Sequence, residues 1–424
     1  MNKLYLALPF FLYFPRLIPG VETQPLIIFC AGILSLLATK RTTTKLHYSI
    51  LVLVLSMLGL ASYVSTGNFL SSALLLQLIV GPTILFGAFA VGACSPERKN
   101  LNYVAIFFLL IALIEIISPN GYRAIASFLM ERVSVADGHR GVSLLTPEPT
   151  YAAMTMVYFL VLSLWTRRQG KKDYPWIEFI FSILLIMTLS TYLALFVMAV
   201  CVAKWPRVTL LTASALIVFI SSVHWVAMGN DESIRLVVAI SRVLTTDFSN
   251  FLPSLSAADS SVGSRVLTNY AAFSTARHSI FGLGLGCQSM SMAFELAGLD
   301  YAFRNPVIRD VMAEGCLKAQ SFGASVFLGL GLAGLLYVWF ISKLVTLCAK
   351  RYEPNLVLWP VALALALLML VVQSQMTNPI PWLLIYVALI GNRPGDIRLM
   401  TLYRMTQEDV GNKDIKHGNS TFSG

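Results

Sequence analysis

Residues 322–347 read FGASVFLGLGLAGLLYVWFISKLVTL, an apolar run in which Lys343 is the one charged residue. A helix needs about 20 apolar residues to cross the ~30 Å hydrocarbon core of a bilayer, so this run is long enough to span a membrane. Similar runs recur along all 424 residues, of which 57% are hydrophobic and 12% charged, with a mean hydropathy of +0.73. The sequence therefore predicts a polytopic membrane protein.

The apolar runs predict an all-α polytopic membrane protein with about twelve transmembrane helices and two larger helical or irregular loops. The runs lie at residues 4–19, 25–39, 46–64, 73–93, 101–118, 151–166, 175–189, 191–203, 208–228, 322–347, 356–376 and 379–391. The stretch 175–203 is divided at Ser190/Thr191, because a single crossing there would move the later basic clusters to the opposite side. Residues 1–404 are predicted to form one membrane domain, and the polar residues 405–424 are predicted to form a disordered cytoplasmic tail.

The basic residues predict the topology, because short cytoplasmic loops of membrane proteins collect lysine and arginine. Clusters begin at Lys40, Arg98, Arg167, Lys204, Lys350 and Arg393. With twelve spans, all these clusters and both termini lie in the cytoplasm, and the two long polar segments, 119–150 and 229–321, face the other side. The net charge of +10 then lies mainly on the cytoplasmic surface, where anionic lipid attracts it, so nucleic-acid binding is not predicted.

The two sides differ in the kind of basic residue that they carry. Eleven of the twelve lysines lie on the cytoplasmic side, and Lys318 is the exception. The outer arginines are Arg16, Arg123, Arg132, Arg140, Arg235, Arg242, Arg265, Arg277, Arg304 and Arg309. Arginine presents a rigid, permanently charged fork that binds phosphate oxygens at two points, which favours a lipid-linked phosphate or pyrophosphate as ligand. For most of these arginines we expect the alternative, which is pairing with acidic residues or lipid headgroups.

The first polar segment contains the most specific motif, GHRGVSLLTPEPTY at residues 138–151. Two prolines flank Glu148 and hold it in extended backbone just before a predicted helix, which Thr150 is suited to cap. In a partly dehydrated cleft such a carboxylate is suited to act as a general base. The alternative is that Glu148 interacts with the positive N-terminal end of the helix. Arg140 is placed to act as its counter-ion or as a phosphate clamp.

The second polar segment is long enough to hold a small lid with its own helices. One helix is predicted to start at Ser264 and to carry Arg265 and Arg277 before a glycine-rich stretch at 278–286. No strand precedes these glycines, so they predict a tight turn against the membrane and not a nucleotide-binding loop. His278 is a candidate base, but a lone histidine at a helix end more often serves as a cap.

Another helix is predicted to begin at the Asn305-Pro306 pair, since asparagine caps helices and proline suits their first turn. Glu314 and Lys318 have the spacing of an i,i+4 pair on this helix, which is predicted to end near Gln320. The six cysteines show no metal-ligand spacing, so no metal site is predicted.

Together these residues resemble bacterial O-antigen polymerases of the Wzy type, in the superfamily that also includes O-antigen ligases and exopolysaccharide polymerases. The resemblance rests on the motif from Arg140 to Tyr151, on Arg265, on the 278–286 turn and on the 320–334 segment. The number of spans and the large outer loop before the tenth span fit as well. The resemblance implies a GT-C-like fold in the bacterial inner membrane, with both termini cytoplasmic and the active site facing the periplasm.

The resemblance also implies a metal-independent glycosyltransferase that uses no cofactor. The donor would be a glycan on undecaprenyl pyrophosphate and the acceptor a lipid-linked repeat unit, with membrane lipids and a chain-length-regulating co-polymerase as further partners. Arg140 and Arg265 would stabilise the departing pyrophosphate, and Glu148 would act as the base or orient the acceptor. Further candidate substrate contacts are Tyr151, Arg277, His278, Arg304, Arg309, Lys318 and Gln320.

An O-antigen ligase is the first alternative. Members of the superfamily with that activity have a histidine and an asparagine near the start of the tenth span, where this chain reads Lys318-Ala319-Gln320-Ser321. They also have an arginine after the serine between the seventh and eighth spans, where this chain has Thr191. Both differences argue against the ligase, and they leave the identity of the polymerase's base open.

A lipid flippase or transporter is the second alternative. Transport places ionisable groups deep within spans, where each is costly and is kept for function. Here Glu115 and Glu178 lie near the ends of their spans, and the charge is concentrated in the loops. The flippase hypothesis predicts that Glu115 is essential while the three candidate catalytic residues tolerate alanine.

Overall fold

The computed structural model describes much of the chain from residue 77 onward. The described ranges are 77–91, 96–130, 141–168, 176–188, 260–286, 288–314, 317–349, 358–372 and 378–390, with isolated residues outside them. The α-helices in these ranges are α1 (Gln77–Val91), α2 (Arg98–Ile117), α3 (Pro119–Leu129), α4 (Pro149–Arg168), α5 (Trp176–Met187), α6 (Ser260–His278), α7 (Ser289–Leu296), α8 (Pro306–Glu314), α9 (Phe322–Leu330), α10 (Gly334–Ala349), α11 (Leu358–Val372) and α12 (Ile380–Ile390). Short 3₁₀ helices cover Asp300–Arg304 and Gly331–Ala333, and these ranges contain no strand.

Three segments in the described ranges are long and apolar enough to cross a membrane, namely Arg98–Ile117, Pro149–Arg167 and Phe322–Leu347. The shorter apolar helices α1, α5, α11 and α12 pack with them. These helices support an all-α membrane protein, while the total of twelve spans stays a prediction. Outside the described ranges lie the predicted spans at 25–39, 46–64, 191–203 and 208–228, most of the span at 4–19, and the tail at 405–424.

Close contacts join α12 to α1, although the two helices lie far apart in the sequence. The Trp382 indole of α12 covers Gly81 of α1 so closely that a Cβ atom on Gly81 would overlap the ring. Tyr386 of α12 donates its hydroxyl hydrogen to the carbonyl oxygen of Ala93, just beyond α1, at 2.8 Å. Lipid gives little apolar driving force for helix association, so small residues and interhelical hydrogen bonds of this kind determine which helices pack together.

The stretch 175–203 is not one long helix. Helix α5 ends at Met187, Thr188 forms a turn and Ser190 is not helical. The interruption therefore falls beside the predicted division at Ser190/Thr191. The residues that would form the second short helix lie outside the described ranges, so that helix stays a prediction.

The run at 322–347, expected to form one continuous helix, is broken by a 3₁₀ turn between α9 and α10. The predicted turn in the 278–286 stretch is present and packs into this break. The Leu332 amide donates to the Ser279 carbonyl at 3.0 Å, and the Leu283 amide donates to the Leu328 carbonyl at 2.8 Å. The loop thus satisfies backbone groups that the broken helix leaves without intrahelical partners.

We expect Gly331→Ala to lower the melting temperature of the detergent-solubilised protein more than Gly298→Ala does. Gly331 has φ 55° and ψ −137°, and a Cβ atom there would overlap the backbone of Ser279 and Gly282. The substitution therefore adds backbone displacement to a conformational strain of roughly 1–3 kcal/mol. Gly298 also has a positive φ, 65°, but a Cβ atom there would meet nothing within 4 Å. Equal losses for the two variants would contradict the packing of the turn into the helix break.

Candidate functional site

Glu148 lies immediately before α4, at the end of a loop that runs from residue 141 to residue 148. Its carbonyl oxygen accepts hydrogen bonds from the amides of Tyr151 at 3.0 Å and Ala152 at 3.3 Å. Pro149 is the first helical residue, a position where its missing N–H costs nothing. The predicted capping role of Thr150 is wrong, because Thr150 already lies inside the helix.

Arg265 and Glu148 form an ion pair across a sequence separation of 117 residues. The Arg265 Nη2 atom lies 3.0 Å from Glu148 Oε2, and the side chains are 27% and 25% exposed. Arg265 projects from α6, which starts at Ser260, four residues before the predicted start at Ser264. Two of the three candidate catalytic residues therefore meet at a position that a ligand can reach. The third, Arg140, lies outside the described residues.

A buried carboxylate from α2 holds the loop that carries Glu148. Glu115 is fully buried, and its two carboxylate oxygens accept from the Ser143 amide at 2.9 and 3.0 Å. The same carboxylate accepts from the Leu144 amide at 3.1 Å and from the Ser143 hydroxyl at 3.1 Å. The sequence places Glu115 near the end of a predicted span and gives it a role only in the flippase alternative. The available signal was its isolation among apolar residues, where an ionisable group costs about 2.5–3.5 kcal/mol on insertion scales.

Tyr122 of α3 completes this buried network. Its hydroxyl oxygen accepts from the Leu145 amide at 2.9 Å and lies 2.8 Å from the Ser143 hydroxyl oxygen. Burial, together with the neighbouring Glu115 carboxylate, raises the pKa of the Tyr122 phenol well above its ordinary value. The phenol therefore stays protonated over the physiological pH range and keeps its hydrogen for donation.

The other end of the loop packs on the end of α5. The Val142 amide donates to the Met187 carbonyl at 3.0 Å. Gly141 lies so close to the backbone of Met187 and Thr188 that a Cβ atom would overlap it. Glycine is required here because two stretches of backbone approach each other directly. The loop is therefore fixed by α2, α3 and α5 before it reaches the Arg265–Glu148 pair.

The other candidate site residues on α6 and α4 do not lie beside the Arg265–Glu148 pair. Arg277 and His278 are exposed at the C-terminal end of α6. Arg277 is twelve residues from Arg265, which places it about 18 Å further along the helix axis. Tyr151 is 7% exposed, and its ring centroid lies 5.6 Å from that of Tyr13, so Tyr151 packs within the protein core.

The candidates from the rest of the second polar segment lie mostly on the surface. Arg304, Arg309 and Lys318 are exposed, and Gln320 is half-buried. Arg309 Nε lies 3.5 Å from Asp310 Oδ1, which is the pairing with an acidic residue expected for most outer arginines. Among the described residues, no ion pair joins Arg304, Arg309 or Lys318 to Glu148 or Arg265.

One local prediction for this segment is confirmed and another is wrong. Asn305 caps α8, because its Oδ1 atom accepts from the amides of Val307 at 3.0 Å and Ile308 at 3.3 Å. The prediction that one helix continues to about Gln320 and carries both Glu314 and Lys318 is wrong, because α8 ends at Glu314 and Lys318 is not part of it.

The Arg265–Glu148 pair is the best candidate site in the described part of the chain. It combines a cation that can bind phosphate oxygens with a carboxylate that can accept a proton, at one end of a helix apolar enough to span a membrane. In the same part of the chain, no group of three or more His, Cys, Asp or Glu side chains has the arrangement of a metal site. Comparisons with protein-family models, with curated proteins and with solved structures find no match to this chain.

Proposed function

We propose that this protein is a surface-polysaccharide polymerase of the O-antigen type. It would transfer a growing glycan from undecaprenyl pyrophosphate to a lipid-linked repeat unit at the periplasmic face of a bacterial inner membrane. The observation that supports this proposal best is the contact between Arg265 and Glu148, which come from the two polar segments that the sequence predicts to share one face. A guanidinium and a carboxylate in contact are the two groups that this transfer needs.

In the proposed reaction the acceptor hydroxyl oxygen forms a bond to the anomeric carbon of the donor sugar. The bond from that carbon to the pyrophosphate oxygen breaks at the same centre. Glu148 takes the proton of the hydroxyl, and Arg265 pairs with the negative charge that develops on the pyrophosphate. Arg140 is proposed as a second phosphate ligand. No nucleotide sugar takes part, and a chain-length-regulating co-polymerase is a proposed partner.

The ion pair itself suggests how the substrate would activate the base. Arg265 Nη2 lies 3.0 Å from Glu148 Oε2 and partly neutralises that carboxylate. A pyrophosphate carries more charge than one carboxylate and offers several oxygens, so it competes for the guanidinium. When Arg265 turns to the pyrophosphate, its contact with Glu148 weakens, and the Glu148 carboxylate becomes a better acceptor for the hydroxyl proton. Donor binding would therefore precede proton removal.

The flippase alternative draws on Glu115, the buried acid of a candidate span. In a transporter such a group faces the substrate path and exchanges partners during the cycle. The Glu115 carboxylate instead accepts hydrogen bonds from backbone amides of the loop that carries Glu148. This contact favours a fixed structural role for Glu115 over the exchange of partners that alternating access requires.

Deletion of the gene, followed by electrophoresis of the surface polysaccharide, tests the proposed function. We expect the polymer ladder to disappear while one repeat unit is still transferred to its final acceptor. Intact polymer that stays on the carrier lipid would mean that the protein is a ligase. Absence of lipid-linked repeat units from the outer face would mean that it is a flippase.

A further inference from the structure

The backbone at Ser143-Leu144-Leu145 is held in an unusual conformation. Leu144 has φ 50° and Leu145 has φ 59°, in the left-handed region that side chains other than glycine seldom adopt. Both leucine side chains are buried, at 0% and 2% exposure. Such a conformation persists only when the surrounding structure imposes it, and here the three successive amides all point to side-chain oxygens.

The acceptors that impose this conformation are Glu115 and Tyr122. Glu115 accepts from the amides of Ser143 and Leu144, and Tyr122 accepts from the amide of Leu145. Successive amides that converge in this way form a nest for an anion. In this protein the anion comes from the chain itself, which fixes the loop to the end of α2.

Hydrogen bonds continue from this nest to the candidate site. The Ser143 carbonyl accepts from the Thr146 amide at 2.9 Å. The Thr146 hydroxyl oxygen lies 2.7 Å from the carbonyl oxygens of both Ser143 and Glu148, and its one hydrogen is available for the Glu148 carbonyl because the amide already donates to Ser143. A contiguous hydrogen-bonded path therefore joins Glu115 to the residue whose side chain contacts Arg265.

From this path we infer that Glu115 is a positioning residue, which sets the place and direction of the Glu148 side chain. A carboxylate is suited to this task because both of its oxygens accept hydrogen bonds. Glutamine has nearly the same shape, but its NH₂ group would face backbone N–H donors and would leave at least one of them without an acceptor. The catalytic part of the inference rests on the proposed function, whereas the positional part does not.

Hydrogen exchange tests the positional part on the full-length protein in detergent micelles, without any substrate. In Glu115→Gln we expect the amides of residues 143–145 to exchange at least about tenfold faster, because hydrogen bonds to a charged acceptor are lost. Exchange in α11 and α12 should stay unchanged. Glu295→Gln makes the same chemical change at an exposed position of α7 and should leave the loop unchanged. Unaltered exchange at residues 143–145 in Glu115→Gln would overturn the inference.

A double-mutant cycle tests whether Glu115 acts through Glu148. The probe is the lipid-linked repeat unit extracted from the deletion strain, and the readout is the initial rate of polymer formation by purified protein. Glu115→Gln alone should lower this rate by about 10²-fold, since small misplacements of a reacting group have effects of that size. In the Glu148→Ala background the same change should lower it no further. An equal loss in both backgrounds would show a general folding defect and overturn the positioning role.

Tyr122→Phe provides a second variant if Glu115→Gln does not accumulate. It keeps the ring and the carboxylate but removes the acceptor of the Leu145 amide, so exchange at residue 145 should rise more than exchange at residue 143. The hydrogen-exchange experiment and the double-mutant cycle also separate the positioning role of Glu115 from the proposed polymerase function. If the proposed polymerase is wrong, purified wild-type protein will form no polymer, while the exchange result still stands. Loss of surface polysaccharide in cells that carry Glu115→Gln, with normal polysaccharide in cells that carry Glu148→Ala, would refute the positioning role and favour the flippase.

Discussion

Arg265→Ala is expected to slow polymer formation by about 10²- to 10³-fold, the usual effect of removing one preorganised donor to a developing negative charge. Arg265 contacts Glu148 at 3.0 Å and keeps 27% of its side chain exposed, so a pyrophosphate can reach it. Arg265→Lys retains the charge but loses the two-pronged geometry, and its rate should lie between those of wild type and Arg265→Ala. The measurement is the initial rate with purified protein, together with the length of the polymer ladder in cells.

The matched control for this prediction is Arg123→Ala. Arg123 belongs to the same outer set of arginines and is exposed on α3, so its loss removes the same charge at a different place. We expect wild-type rates and wild-type protein levels for this variant. Equal rates for Arg265→Ala and Arg123→Ala would mean that the outer arginines act only through their total charge, and the proposed site would then be wrong.

Arg98→Ala is expected to destabilise the protein by about 3–5 kcal/mol, because it leaves a largely buried charge without its partner. Arg98 is 3% exposed, and its Nη1 and Nη2 atoms lie 2.6 and 3.1 Å from the two carboxylate oxygens of Glu178. Nη1 also donates to the Ser163 carbonyl at 3.2 Å, and Nη2 to the Tyr174 carbonyl at 2.6 Å. The pair thus joins the start of α2 to α4 and α5. Thermal unfolding in detergent micelles measures the loss.

Two further variants separate the ion pair from other effects. Lys99→Ala removes a neighbouring charge that is exposed, and it should change the stability by less than about 1 kcal/mol. The double replacement of Arg98 and Glu178 by methionine should recover most of the stability lost in Arg98→Ala, since no buried charge then remains. If the double variant is as unstable as Arg98→Ala, hydrogen bonds to the backbone carbonyls dominate and the ion-pair explanation fails.

Several features that depend on a few neighbouring residues were predictable from the sequence. The position of Glu148 just before a helix follows from its flanking prolines, and the cap at Asn305 follows from the proline behind it. The helix that carries Arg265 was predicted to within four residues at its start. In each case the decisive interactions lie within one turn of backbone, so local preferences are sufficient.

Features that depend on distant backbone were not predictable. Hydropathy presents 322–347 as one uniform run, because the break is stabilised by a loop about 50 residues earlier in the chain. Arg98 counted as a basic residue of a cytoplasmic cluster, but pairing with Glu178 buries it. Glu115 gave only the signal of an isolated acid, because the hydrogen bonds that it accepts from the backbone amides of Ser143 and Leu144 carry no trace in the sequence. The contact of Arg265 with Glu148 spans 117 residues and likewise needed coordinates.

The contact between α12 and α1 has a consequence for how the chain assembles during synthesis. Tyr386 bonds to a carbonyl 293 residues earlier, and Trp382 covers Gly81, so α1 is synthesised well before this partner helix. At roughly 5–20 residues per second, this separation corresponds to about 15–60 s. During that interval we expect the surface of α1 around Gly81 to be occupied by lipid or by the insertion machinery. Truncation before Ile380 should leave that surface without Trp382 and expose the shortened protein to membrane proteases.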